Sequence, residues 1–538
     1  MYTSGIVALC NRPRHRLRYA LITFVPLAFG AFVPAASAAR IDVNTATDAV
    51  AVDGQCSLRE AITAVNKQAA SGNLTGECAA GDGNDDTVIV PAGTYTLAIT
   101  GVNENNNASG DLDILADIRI QGTANGATVI DANGIDRIID IVSSAVTVRF
   151  ADLKLLNGHA PVSTTEHGQA GGAVNNGNGA TLVLSRVELA NNESGVGIGT
   201  AFGFSGAAGG AIFSNAGSVL LVNCWLHDNH SGAGSDSVQT FGYAGYGGNG
   251  GALASVNATI DIETTKFDRN HTGDGGSGGD LPTPPGFGGA IYAKGGSINI
   301  LQSAVHSNQT GTQATGGFGA GGGVFVANVT MQINQTSITN NVAFDGGGLD
   351  SGDSALTLDN VTLSGNYAGQ FGGGLFMSGG NGQLNFVTLA ANQAALDSGG
   401  ARIENGSSGA ATVSYRNTIV SGNFAPNQPD CNIFSGNSLI SNGYNLAGAG
   451  CPADAFGDVA TTNPQLGPLS NNGGIGLTLM PHPDGPAVDG GNCVASNIGM
   501  DERGHARFVD VPRTPDAVDA CDIGAVELDD DIFRDGFR

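Results

Sequence analysis

Between residues 171 and 423, apolar and polar positions follow one scheme repeated eight times. Each copy opens on a Gly pair or triplet, continues with alternating strand-formers, and closes on an aliphatic or aromatic residue three positions before an Asn. The closing pairs are Leu189/Asn192, Leu226/Asn229, Phe267/Asn270, Val305/Asn308, Ile338/Asn341, Leu363/Asn366, Leu389/Asn392 and Val420/Asn423. Alternation of period two predicts strands with one buried face. Recurrence every roughly 20–50 residues predicts a solenoid, in which each coil buries its apolar face only against its neighbours. The copies hold no helical 3.6-residue pattern and no nine-residue Gly/Asp repeat, which excludes helix-containing solenoids and a calcium roll. The expected fold is all-β: a single-stranded right-handed parallel β-helix.

Counted at the residue after each Gly-rich opening, the copies start at Val174, Ile212, Leu253, Ile291, Val324, Leu349, Leu375 and Arg402, with spacings of 38, 41, 38, 33, 25, 26 and 27. The bare coil is therefore about 25 residues, and the first four copies carry insertions between the Asn and the next Gly pair. The insertions are Gly-rich and carry Phe202, Phe204, Phe241, Tyr243, Tyr246, Phe287 and Phe318. One slot in a coil is one edge in space, so the insertions should align as a ridge over one half of the rod. The recurring Asn should stack from coil to coil as a hydrogen-bonded ladder.

Residues 81–170 hold shorter runs of strand-formers and read as irregular early coils, so the solenoid is expected over 81–423. Residues 39–80 read as an N-terminal cap. Ser57 and Glu60 form a capping box before Leu58, Ile62 and Val65, which share one face of a short helix. A separate C-terminal module is expected over 424–528, and a tail over 529–538.

Residues 1–38 have the pattern of a secretory signal. Arg12, Arg14, Arg16 and Arg18 precede an apolar stretch from Tyr19 to Val33, and Ala36-Ser37-Ala38 offers a cleavage site. This stretch contains four of the 22 basic residues and no acid, so 18 basic and 48 acidic residues remain and the net charge moves from −26 to −30. Such acidity argues against nucleic acid and anionic membrane as partners. No later segment is apolar enough to span a bilayer as a helix, and a monomer outside the cell, free or attached to a surface, is expected. Export permits disulfides, and local spacing suggests Cys56–Cys78, Cys431–Cys451 and Cys493–Cys521, with Cys224 left as a small buried residue.

Three strings resemble known families. The pairing of Gly-Gly-Ala-Ile with Phe-x-x-Asn, over Gly171 to Asn423, resembles the polymorphic outer-membrane proteins, β-helical surface adhesins. Cys56-Ser57-Leu58-Arg59-Glu60-Ala61-Ile62 resembles the CSLREA cap motif of secreted bacterial β-helix proteins. Gly485 to Gly491, Asp501 to Gly504 and Asp522 to Glu527 resemble the C-terminal module called choice-of-anchor Q. These resemblances imply a pectate-lyase-like solenoid, adhesin-like and secreted or associated with a cell surface or outer membrane, with a polysaccharide or other surface ligand. The membrane barrel that ends the polymorphic proteins is not expected, because the residues after Asn423 lack the many alternating segments it needs.

An extracellular polysaccharide lyase or glycoside hydrolase, with a His/Asp site under the insertions of the first four copies, is the alternative, since this fold permits such chemistry without implying it. Candidate catalytic residues flank the Asn slot of the second to fourth copies: His227, Asp228 and His230, then Asp268, Arg269 and His271, then His306. Stacked His and Asp can act as base and acid on a bound sugar or hold a metal. Glu193 and Gln309 extend the row, and His159, Glu166 and His167 lie in the loop that enters it. Asp111 and Asp113, beside Asn105 to Asn107, are candidate Ca²⁺ ligands. No nucleophile elbow, phosphate loop or CxxC zinc spacing is present.

Overall fold

The computed structural model describes residues 38–162, 167–199, 203–237, 243–278, 283–312, 319–496, 498–511 and 517–528. Residues 1–37 of the expected signal, the C-terminal tail, Glu166, Phe202, Phe241 and Phe318 lie outside them.

The described chain is almost entirely β, and its strands join in one 30-stranded sheet and one of three strands. Pairing between the named strands is parallel, each strand bonded to its counterpart one repeat later. Leu182, Val219, Ile260, Ile298, Met331 and Leu356 form one continuous row. Leu189, Leu226, Phe267, Val305, Ile338, Leu363 and Leu389 form a second. Both rows are buried, so alternation places one apolar residue of every coil against the same residue of the next.

The eight Asn side chains form a buried ladder. Nδ2 of Asn192, Asn229, Asn270, Asn308, Asn341, Asn366 and Asn392 each donates to Oδ1 of the next Asn, at 2.9 to 3.0 Å. The backbone N–H of each donates to that same oxygen, and Nδ2 also reaches a main-chain carbonyl such as Leu226 O or Phe267 O. Asp430 ends the ladder. Its Oδ1 accepts from Asn423 N and Nδ2 and its Oδ2 from Ala449 N. A carboxylate accepts only, so it closes the row without leaving a buried donor unmet.

Two boundaries differ from expectation. Parallel pairing does not stop at Asn423: Cys431–Ile433, Ser438–Ser441, Leu446–Ala447 and Val459–Ala460 each add to the stack. In the eighth copy the register lies one residue earlier, with Ala401, not Arg402, opposite Leu375. A one-residue slip reverses the face of every side chain. Arg402 thus points away from the apolar row, with its guanidinium 3.9 Å from the Phe371 ring centroid and 4.3 Å from that of Phe434.

At the N-terminal end, helix α1 (Leu58–Lys67) starts with the expected capping box. Arg59 is fully buried; it donates to the carbonyls of Gly110 and Asp111 and pairs with Asp48, which ties the helix to the first coils. All three expected disulfides are present, Cys56–Cys78, Cys431–Cys451 and Cys493–Cys521. Cys224 is free and buried, and burial pushes its thiol up to about 11.

The described parts of the insertions stack on one another, as in Gly197 N to Ala233 O and Gly234 N to Asp274 O, both 2.9 Å. Their glycines are required by contact: a Cβ on Gly232 would lie 2.0 Å from Gly195 O. Gly232→Ala should therefore expose the insertions to limited proteolysis, while Gly499→Ala, in open space, should not. Equal cleavage of the two variants would show that the close approach is dispensable.

Beyond Thr461 the chain folds back over the later coils. Glu502 meets Thr362, Arg507 donates to Asn360 Oδ1 at 2.7 Å, and Ala525 N donates to Thr388 Oγ1 at 2.8 Å. Among the described residues no helix is long and apolar enough to cross a membrane.

Candidate functional site: a cleft on the face of the second to fourth coils

The candidate residues divide at the Asn corner. Residues just before each ladder Asn are in the left-handed conformation, with φ of 53° at Asp228 and Arg269 and 56° at Ser307. This bend turns the chain onto another face. The short strands Trp225–His227, Lys266–Asp268 and Ala304–His306 pair before the corner. His159, Glu193, His230, His271 and Gln309 form a separate row of parallel bridges after it.

Neighbours in the row after the corner contact one another. His230 and His271 stack with ring centroids 4.8 Å apart, and His159 Nδ1 lies 3.3 Å from Glu193. The Glu193 hydrogen bond raises the His159 pKa, and His159 in turn lowers that of Glu193. Burial, then repulsion from His230, lowers His271, which favours its neutral form. His167 packs edge-on to Phe204 and accepts from Ser205 N. The insertions lie along this row: Ser194, Ser231 and Thr272, each two residues past a ladder Asn, donate to carbonyls within them.

At the corner, Arg269 donates to both oxygens of Asp228 at 2.8 and 2.9 Å and also to Asp268. His227 Nδ1 is 2.6 Å from Asp228 Oδ2 and its Nε2 is 3.4 Å from Glu188. Hydrogen bonding to Arg269, then to His227, holds the Asp228 carboxyl below its ordinary range. His306 Nδ1 contacts Thr339 Oγ1 at 3.0 Å. The seven candidates thus form no single site. His227, Asp228, Asp268 and Arg269 are linked, His306 lies beside them, and His230 and His271 belong to the next face.

The face before the corner carries a cleft of about 570 Å³. Its floor is Cys224, Trp225, Lys266, Phe267, Asp268, Ala304, His306 and Ser337. Its other wall is Asn471, Ile475, Gly476 and Leu477, the tip of a hairpin closed by paired bonds between Ser470 and Thr478. The covering element is therefore this C-terminal hairpin, and the described parts of the insertions expected to lie over the site do not line the cleft. A second hollow of about 340 Å³ adjoins it, lined by Lys154, Arg186 and Glu188, and shares Asn223 and Trp225 with the first.

Trp225 stands between the two hollows. It is the only Trp of the chain, is 40 % exposed, and stacks on His227 with centroids 3.8 Å apart. Lys154 pairs with Glu188 at 2.8 Å, whereas Lys266 makes no ion pair among the described residues. The site thus offers an aromatic face, a cation, a carboxylate and an imidazole in an open groove bounded by two apolar residues. Trp225 and Lys266 were absent from the sequence-based candidates. Their signal was the outward slot four residues before the ladder Asn, where Glu188 precedes them.

Asp111 and Asp113 lie far along the chain from this cleft, under α1. One carboxylate oxygen each of Asp111, Asp113 and Asp140 come within 4.8 Å of one another. Burial above all pushes Asp111 up to about 9 and Asp113 up to about 7.

No protein-family model matches the chain, and no curated protein does. Among solved structures it is similar to ORF18 of Geobacillus virus E2, at 10% identity and a TM-score of 0.21, over 66% of this chain. The match spans 54% of that protein, about half its length.

Proposed function

We propose that this is a secreted or cell-surface right-handed parallel β-helix, adhesin-like, that binds a polysaccharide in the cleft beside Trp225. Successive parallel pairing supports the helix, and parallel crossovers are right-handed in the great majority of cases. Three disulfides and the sequence of residues 1–38 support export. The observation that carries the binding reading is Trp225. An amphipathic ring stacked on His227 contributes contact area at low entropic cost, and polar groups around it fix orientation.

The single Trp makes the test direct. Titration with neutral and acidic polysaccharides should shift the fluorescence of Trp225. Trp225→Ala should cost about 2 kcal/mol or more, roughly thirtyfold in affinity. Unchanged fluorescence with every polysaccharide, together with wild-type binding by the Trp225→Ala protein in a pull-down, would sink the reading.

Cleavage of the bound chain is the second reading, because Asp268 and His306 both line this cleft. It requires new reducing or unsaturated ends that disappear in His306→Ala. Binding without product would leave the protein an adhesin.

A further inference from the structure

We propose that Asp111, Asp113 and Asp140 bind one Ca²⁺ that locks the N-terminal cap onto the first coils. Asp113 and Asp140 are direct partners on adjacent parallel strands, Leu112–Ile114 and Ile139–Ile141. Like charges facing each other across a ladder are destabilising, and here Asp113 and Asp111 are buried. Asp113 is 0 % exposed; its Oδ2 accepts from Asn107 N at 2.6 Å, while its buried Oδ1 receives no donor and the Glu104 carboxyl lies against the same group.

Arg137 is the cation already present, 3.6 Å from Asp111 and 3.3 Å from Asp140. Asp136 and Glu104 add further negative charge around the group, so one guanidinium leaves an excess of buried carboxylate. Asn175 donates to Asp140 Oδ1 at 2.9 Å and orients it from the next coil. A hard divalent cation that takes oxygen ligands in flexible geometry suits such a set, which favours Ca²⁺ over Mg²⁺.

The lock follows from what these residues hold. Asn66 of α1 donates to Asp113 O, Arg59 to Asp111 O, and Asn107 reaches back to Arg59 O. Ordering the carboxylates therefore orders the contact between cap and coil.

The full secreted chain should be stripped with EDTA and titrated calorimetrically with CaCl₂, with MgCl₂ as comparison. The expected result is one Ca²⁺ per chain and a higher unfolding temperature for the cap, with Asp113→Asn weakening binding by at least about tenfold. If Arg137 alone balances the cluster, millimolar CaCl₂ gives no heat and no thermal shift. That result overturns the proposal. Asp140→Asn repeats the test should Asp113→Asn fail to fold. Polysaccharide binding at Trp225 is read separately and is indifferent to the outcome.

Discussion

Asn270→Ala is expected to destabilise the central coils by roughly 3–6 kcal/mol, because it orphans several buried groups at once. Asn270 Oδ1 accepts from Asn229 N and Nδ2, and its Nδ2 donates to Leu226 O and Asn308 Oδ1. Truncation leaves the Asn229 backbone N–H and one N–H of its amide without an acceptor and removes a bond to Leu226 O, all in a buried row. Each strand here pairs in parallel with its counterparts one repeat before and after, so the break should act locally and split the stack. Hydrogen exchange should show lost protection centred on the strands holding Leu226, Phe267 and Val305. Protection equal to wild type there would mean that the ladder contributes little beyond shape. Asp430→Asn should show a smaller loss of the same kind, because its amide cannot accept from Ala449 N while also accepting from Asn423.

Arg507→Ala is expected to release the C-terminal module, at a cost of about 3–5 kcal/mol, the usual penalty for removing one partner of a buried charge set. Arg507 is fully buried, donates to Asn360 Oδ1, Gly524 O and Ala525 O, and lies 3.9 Å above the Phe386 ring centroid. Glu527 is 3.7 Å from it, and both groups are pushed toward neutrality, so burial outweighs their attraction. Because the hairpin is one wall of the cleft, the polysaccharide binding proposed for that cleft should weaken in the same variant. Cleavage of residues 461–528 by protease at the wild-type rate would contradict this.

The same cluster makes docking depend on pH. Burial raises Glu502, pushes Asp522 up to about 7 and pushes Glu527 up to about 9. Between the ordinary carboxylate range near pH 4 and these raised values, the folded state binds more protons than the unfolded state. Stability from this source is complete at the acid end and falls as pH rises through about 7 and then about 9. Thermal unfolding of the module followed from pH 5 to 9 should show a declining midpoint. A midpoint that rises over that range would refute the assignment.

Much of the scaffold was legible because each feature repeats. Period-two alternation named the buried rows, and the Asn recurrence named the ladder. Where repetition weakened, reading failed by small steps. In the eighth copy Ser398 takes the left-handed position that Gly372 holds one coil earlier, with φ of 61° and 65°. Counting from Gly399 therefore placed Arg402 in a core slot. The stack also runs past Asn423, because Asp430 and not an Asn receives the last rung.

The candidate site was legible only in part. Sequence slots state which residues are neighbours from coil to coil, and by itself this chain determined that His230 and His271 occupy one slot in adjacent copies. They do not state how sharply the backbone turns. The left-handed residues before each Asn put His230 and His271 around a corner from Asp268, and that turn belongs to backbone geometry. The cleft itself was decided only by tertiary structure. Its second wall comes from a hairpin at Asn471 to Leu477, brought to Trp225 by contacts such as Gln335 to Asp501 and Thr362 to Glu502. Those contacts join residues more than a hundred positions apart and follow no period, so nothing in the local pattern encodes them.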